Sequence, residues 1–474
     1  MNKRPVLFMS ISIGWVIRNF FQTGIIDQLK EHFEVVVLVT KKASIGLSKL
    51  GYDEGITVLT IECGKEPLIW KLLRQLRKKV HLEGRRSSTE AIWEKYLPRP
   101  VYQRVGGWVV KRVLRVISAQ RLYEWLDWLD SKVNTARQLA PLFQEYRPAI
   151  YFATHTTGYF EEYLLRNALA AGVTSVFMIL SWDHPSIKIR LNKRFHSIFV
   201  WNSHSKQELL QSYPNYREEQ IKVVGIPQYD LYAEKPKLTY ANWCQQHGLD
   251  PSRRTILFST MPQYRNEQQH IILEQLLKAI VQGAKVPGDL QVMIKCHAFD
   301  TFDYEKSLKD YPVAIYRNSI AKELAWEDWI PSQTEMETSR DCLYFCSINI
   351  NIFSTVTIEA AYFDKPIIHI AFDPLPVKNR IPCREYYNWE HFKHIVEKKA
   401  TILVHSYEEL FDAIRRYSAD PTILSEERKT LVKTYIGQPV GEARDAVVSE
   451  LVRIQQTLCI DGKQESQNSI PDLT

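Results

Sequence analysis

No stretch of this 474-residue chain offers the roughly 20 consecutive apolar residues that a membrane-crossing helix requires. The first residues, MNKRPVLFMSISIGWVI, start like a secretion signal, with Lys3 and Arg4 before an apolar run. Ser10, Ser12 and Gly14 break that run, Arg18 follows it and no small-x-small cleavage site appears, so a first buried strand is expected instead. Cysteines are few: seven, odd in number and scattered. Cys342 and Cys346 stand four apart, but no second Cys or His pair completes a zinc site, and reduced thiols in a cytosolic protein are expected. There is no Walker loop, no G-x-S-x-G and no H-E-x-x-H, which removes P-loop, serine-hydrolase and zincin chemistry. The first strand-to-helix turn is poor in glycine, against a dinucleotide enzyme. No clear D-x-D metal motif occurs, so neither metal nor cofactor is expected.

What the chain does hold is an ordinary globular composition, 45% hydrophobic and 24% charged, with length for two or three domains and a core that needs no staples. Short β-branched runs alternate with amphipathic stretches. PVLFMSI, EVVVLVT, ITVLTIEC, AIYFATHT, TSVFMILSWD, SIFVWN and the start of IKVVGIPQYD read as strands of one series, and RTILFSTMP, LQVMIKCH, VAIYR, the start of NIFSTVTIEAAYFDKPIIHI, KPIIHI and TILVHS as those of a second. Strand–helix–strand units of this kind make parallel, right-handed sheets. The expectation is an α/β chain of two doubly wound, Rossmann-like domains facing a cleft. Residues 1–230 make the N-terminal domain and 253–458 the C-terminal one. The polar, Pro-containing 231–252 is read as a linker, and 459–474 as a disordered polar tail. Ligands of such domains sit at the carboxyl ends of the strands and between the paired domains.

A mainly helical insert, about 68–145, interrupts the first series and carries the charge bias. Lys71 to Arg121 holds fourteen Lys and Arg against Glu83, Glu90 and Glu94, whereas the whole chain is +7. Trp93, Tyr96, Tyr102 and Trp108 lie among the cations. A solvated helical face would account for this. Nucleic-acid binding would need a recognisable module, and none is present. Contact with an anionic membrane surface suits both the cations and the interfacial aromatics.

One segment poses a chemical question. In NIFSTVTIEAAYFDKPIIHI, residues 351–370, a helix almost wholly apolar carries a single acid, Glu359. A capping box would place the acid three residues after the cap, but Glu359 is five after Ser354 and four after Thr355. A solvent-facing acid has little polar face to share. A ligand contact remains: hydroxyls and N–H groups at a helix start after a strand suit an anion, and a carboxylate one turn deeper suits a vicinal diol, the two halves of a nucleotide diphosphate.

This segment, S-T-x-x-x-E-A followed by a Lys-Pro strand, resembles the donor-binding region of GT-B glycosyltransferases. The resemblance implies that Glu359 holds the ribose and that Ser354, Thr355 and Thr357 meet the phosphates. VMIKCHAFD resembles the K-x-H-P strand end of bacterial poly(glycerol-phosphate) transferases, with Ala298 where they have proline; it implies that His297 stabilises diphosphate charge. SIFVWNSHSKQELLQSY with VVGIPQYD, SWDHPS and GQPVGEARDAVVSEL resemble other segments of the same group, so the likeness spans nearly the whole chain except the insert. Pro227 and Asp230 read as structural. An acceptor hydroxyl needs a general base in the N-terminal domain. Asp183 and His155, both after strand ends, are the candidates, with His184 behind them, and Ser12–Gly14 with Arg18 is a further cleft wall.

The implied function is transfer of a sugar from a nucleotide-activated donor to an acceptor, without a metal, in cell-envelope or extracellular polysaccharide synthesis. The acceptor would be lipid-linked, and the enzyme cytoplasmic and peripheral on the inner face of the membrane. Two alternatives stay open: a CDP-glycerol:poly(glycerophosphate) glycerophosphotransferase-like enzyme, and a non-catalytic nucleotide-sugar-binding protein on the same fold. A sugar-nucleotide epimerase is a variant of the first.

Overall fold

A computed structural model describes residues 4–133, 136–155, 158–182, 195–213, 215–317, 330–437 and 440–468. Both expected strand series form. The first is a seven-stranded sheet of β1 (Val6–Ile11), β2 (Glu34–Val39), β3 (Thr57–Thr60), β4 (Ile150–Ala153), β5 (Thr174–Met178), β6 (Ser197–Val200) and β7 (Ile221–Val223). The second has six strands, β8 (Arg254–Ser259), β9 (Leu290–Lys295), β10 (Val313–Tyr316), β11 (Ile348–Asn351), β12 (Ile367–Ile370) and β13 (Ile402–Val404). The orders are β3-β2-β1-β4-β5-β6-β7 and β10-β9-β8-β11-β12-β13, and every pairing is parallel. Each sheet therefore reverses direction beside its first strand, between β1 and β4 and between β8 and β11, where doubly wound folds open a crevice. The strands are buried on both faces, which is why they read as unbroken apolar runs and not as alternating ones.

Three features depart from the expected domain plan. The linker is folded: a 3₁₀ helix spans Pro227–Ala233, and helix Tyr240–Gln246, capped by Thr239, buries Trp243 in the second domain's core. The last helix, Ala443–Asn468, continues through most of the polar tail. It also returns to the first domain, where Val447, Val448 and Leu451 join the core of β1 and β2. Asp230 holds its start, accepting from the backbone N–H groups of Gly441, Ala443 and Arg444 at 2.9, 3.2 and 2.9 Å, so its structural reading stands.

The insert between β3 and β4 is helical, with helices Leu68–Gly84, Ser88–Tyr96, Val101–Val113, Ala119–Lys132 and Ala140–Tyr146. Leu73, Val80, Val110, Tyr123 and Leu126 give it a small core of its own. Helix Ser88–Tyr96 docks on the second domain. Ile92 enters that domain's core, Trp93 meets Trp389 edge-on at 5.5 Å, Tyr96 Oη donates to Glu385 at 2.7 Å, and Arg85 pairs with Glu390 at 2.6 Å. All seven cysteines are free thiols.

Candidate functional site

The carboxyl ends of β8, β9 and β11 face the first domain across a cleft of about 640 Å³. Its second-domain wall is made by the turns after those strands: Thr260 after β8, Lys295 and His297 at the end of β9, and Ser354, Thr355 and Glu359 after β11. Arg18, Trp182, Trp201 and Gln228 form part of the opposite wall.

The turn after β11 is bent through Phe353, whose φ of 49° is a left-handed conformation unusual for a bulky side chain. Packing holds it there, because the Phe353 ring lies 4.9 Å from Trp389 and 4.6 Å from Phe392. Ser354 Oγ accepts from the Val356 N–H at 3.3 Å. Helix Val356–Tyr362 that follows has only seven residues. A helix this short carries little dipole, so the expected anion site at its start is a weak one by itself.

Side chains supply what the helix does not. Lys295 and Arg265 both line the cleft, and His297 stands with them. His297 Nδ1 accepts from the Phe299 N–H at 3.0 Å, which leaves the proton on Nε2. Burial, with Lys295 and Arg265 nearby, pulls His297 down to about 4, so it is a neutral donor at physiological pH. Two cations and a neutral N–H donor beside two hydroxyls suit a diphosphate.

Glu359 has a partner. Tyr232 Oη, from the folded linker, donates to its Oε2 at 2.7 Å. Arg18 completes the group: its Nη2 donates to Gln228 Oε1 at 2.7 Å, and burial lowers it while the Glu359 charge opposes that shift. Burial and the Glu359 charge also push the Tyr229 and Tyr232 phenols well up. One carboxylate thus links the second domain, the linker and the first domain. A carboxylate has about four lone-pair sites, so acceptor capacity remains for a diol.

The other sequence candidates fall elsewhere. Thr357 does not line the cleft, against expectation: its side chain is fully buried and its hydroxyl meets His369 Nε2 at 2.8 Å. His369, also fully buried, is pulled to about 3 by burial and is neutral; its Nδ1 meets Thr401 Oγ1 at 3.1 Å. The Thr357–His369 pair is core architecture. His155 is buried just after β4 and is not among the residues lining the cleft. Asp183 and His184 lie outside the described residues. Lys295, Arg265 and Tyr232 were not singled out from the sequence. The signal for Lys295 was present in K-x-H; Arg265 and Tyr232 are placed by tertiary contacts alone.

One buried acid near the strand ends of the first domain carries no motif in the sequence. Glu161 sits in the first turn of helix Tyr159–Ala170, only 2% exposed, and burial pushes its carboxyl up to about 8, against a smaller opposing effect of the Ser12 hydroxyl.

No protein-family model and no curated protein matches the sequence. Solved structures do match in fold. Staphylococcus aureus MnaA, solved with UDP, superposes with a TM-score of 0.53 at 10% identity, covering 94% of this chain and 96% of its own. A UDP-N-acetylglucosamine 2-epimerase gives 0.50 at 15% identity, covering 95% and 96%. The wall teichoic acid polymerase TagF gives 0.51 at 11% identity, covering 96% and 91%. At these identities the likeness is one of fold, and it establishes the GT-B architecture of two facing Rossmann-like domains over nearly the whole chain.

Proposed function

We propose that the protein is a glycosyltransferase that moves a sugar from a nucleotide-activated donor to an acceptor in cell-envelope or extracellular polysaccharide synthesis. The observation that carries this reading is the makeup of the second-domain wall. Lys295, Arg265 and His297 line it together with Ser354 and Thr355, and the Glu359 carboxylate follows one turn on; these are donors and an acceptor of the kinds that a diphosphate and a ribose diol take up. Charge that develops on the leaving nucleotide would be met by the two cations and by the His297 Nε2–H, groups already in place before reaction. Glu359 would accept from the ribose hydroxyls with the capacity Tyr232 leaves. In this reading Asp183 is the base for the acceptor hydroxyl, because His155 is buried and does not line the cleft. The acceptor is lipid-linked and reaches the first domain from an anionic membrane surface. MnaA solved with UDP and TagF, a wall teichoic acid polymerase, share the architecture and support a nucleotide-sugar donor and an envelope polymer by analogy of fold.

The K-x-H side chains, both in the cleft, favour a second reading, transfer of glycerol phosphate from a CDP-linked donor. Melting curves with UDP, GDP, CDP and dTDP separate the two. A nucleotide at about a hundred times its dissociation constant adds roughly 2.7 kcal/mol. One nucleotide is expected to raise the melting temperature, and Glu359→Ala is expected to abolish that rise while remaining folded. A response to CDP alone selects the second reading. No response to any nucleotide by the folded protein removes both.

A further inference from the structure

The insert is apolar on its outside as well as in its core. Fourteen of the twenty exposed large apolar side chains among the described residues lie between Leu68 and Trp128. Helix Val101–Val113 shows the pattern most clearly. Gly107, Val110 and Leu114 face helix Leu68–Gly84, with Val110 beside Leu73 and Val80. Val101, Val105 and Trp108, spaced four and three apart, make a second stripe on the far side, and Tyr102 and Val109 widen it. Val101 is 73% exposed and Trp108 59%. Past the helix end, Val116 is 87% exposed. On the next helix Trp125 and Trp128 also point outward, opposite its buried Tyr123 and Leu126.

Along helix Val101–Val113 and the turn after it the sequence carries charge of one sign. From Lys95 to Tyr123 the chain holds seven Lys and Arg and no Asp or Glu. Of the insert's acids, Glu90 is buried against Lys79 and Arg99, each at 2.7 Å, and the exposed Glu94 pairs with Lys111 at 2.7 Å, whereas Glu124, beside Trp125 on the next helix, faces water. Arg104, Arg112, Arg115 and Arg121 are left exposed, with no ion-pair partner among the described residues. Arg112 lies over the Trp108 ring at 4.9 Å. No helix among the described residues is long and apolar enough to cross a membrane.

We infer that helix Val101–Val113 and the turn after it lie flat on an anionic phospholipid bilayer, with Val101, Val105, Trp108 and Val109 entering the headgroup–acyl boundary and Arg104, Arg112, Arg115 and Arg121 meeting lipid phosphates. The inference rests on the reading above in that it gives the membrane surface a specific docking face, and it adds that the attachment is hydrophobic as well as electrostatic. Exposed apolar area ringed by cations is what an interfacial helix requires. A contiguous water-facing stripe of valine and tryptophan marks an interaction surface, and the cations beside it select an anionic one. The docking of helix Ser88–Tyr96 on the second domain fixes this face relative to the cleft, since Trp389, which Trp93 touches, packs on Phe353.

Flotation of the full-length protein with vesicles tests it, using phosphatidylcholine alone and phosphatidylcholine with about 30% phosphatidylglycerol. The expected result is binding to the anionic vesicles only, weakened at least tenfold by Val105→Asp with Val109→Asp. Substituting Arg104→Gln with Arg115→Gln should also weaken it, by a smaller factor. Part of the binding should survive salt of about 0.5 M, where exposed charges are screened within a few Å. Four results would overturn the inference: no flotation with anionic vesicles; flotation indifferent to the aspartate pair; complete release by salt; or a lipid-free dimer, seen in sedimentation velocity, that the aspartate pair dissociates, which would make a second copy of the chain the occupant. All the altered side chains are exposed, and an unchanged melting temperature confirms that the variants fold. Nucleotide-induced stabilisation, measured on the same variants without lipid, should be unaffected, so failure here and failure of the donor-site reading are told apart.

Discussion

Glu161 and Glu359 occupy the same place in the two halves of the molecule. Each lies eight residues beyond the strand that sits next to the sheet's first strand, β4 in one half and β11 in the other, in the opening turn of the helix that follows. Their surroundings differ. Glu359 is half-buried at the cleft, takes a hydrogen bond from Tyr232 and has Arg18 close by. Glu161 is sealed beneath the carboxyl ends of β1 and β4 with Ser12 as its polar neighbour, and among the described residues no basic group shifts its carboxyl. It also starts a twelve-residue helix, whose dipole favours an ionised acid by up to about 1 kcal/mol, yet burial dominates and the proton stays on. One topological position therefore gives a neutral acid in the first domain and a partnered, ligand-accessible one in the second. Fold fixes where an acid stands; the neighbours fix what it can do.

The largest expected effect comes from titrating Glu161. Its folded value, about 8, lies above the ordinary 4.5, so the folded state holds a proton that the unfolded state releases between those limits. Its contribution to stability is complete below about pH 4.5, declines as pH rises and is lost by about pH 8, a change of up to about 5 kcal/mol. Glu161→Gln keeps the shape of the neutral acid and has no proton to lose. Melting temperature followed from pH 5 to 9 should fall more steeply for the wild type than for this variant, with the two converging at the acid end. Parallel curves would mean that Glu161 is ionised in the fold, and the contrast with Glu359 would collapse.

The same sequence signal was present at both positions. Glu359 stood out as one acid in an apolar helix. GYFEEYLLRNALA carries two adjacent acids in a helix that is buried on most sides, so one of them had to be inside, yet nothing local says which. The strands were legible because parallel strands covered on both faces are continuous β-branched runs. The insert's helices and cations were legible as composition, but the outward apolar stripe became visible only once Val110 and Gly107 were known to face inward. The return of Val447 and Leu451 to the first domain, the folded linker around Trp243 and the Tyr232–Glu359 bond join residues far apart in the chain, and no periodicity records such partners. Thr357 shows the limit of a motif. Its hydroxyl is committed to His369, twelve residues on, so the matching letter does not mark a phosphate contact.

Thr357→Val sharpens that point. It removes the hydroxyl that meets buried His369 Nε2 and leaves the imidazole nitrogen without its partner, at a cost of about 1–3 kcal/mol. Stability should drop while the nucleotide dependence of the melting temperature is retained. Loss of the nucleotide response in a variant that still melts cooperatively would return Thr357 to the donor site.

The smallest change tests whether the Glu359 carboxylate serves the linker or the ligand. Tyr232→Phe deletes only the hydroxyl that donates to Oε2, in a side chain whose ring stays stacked on Tyr229 at 5.0 Å. The lost bond is to a charged acceptor at a half-buried site, so a destabilisation of about 1–2 kcal/mol is expected. If the carboxylate is a ribose contact, this variant retains the nucleotide response that Glu359→Ala loses, and binds at least as tightly because both oxygens are free to accept. Isothermal titration with the responsive nucleotide measures this directly. A variant that loses nucleotide binding to the same extent as Glu359→Ala would show that the carboxylate acts by holding the linker against the second domain, and that the donor contact is made by groups the linker positions.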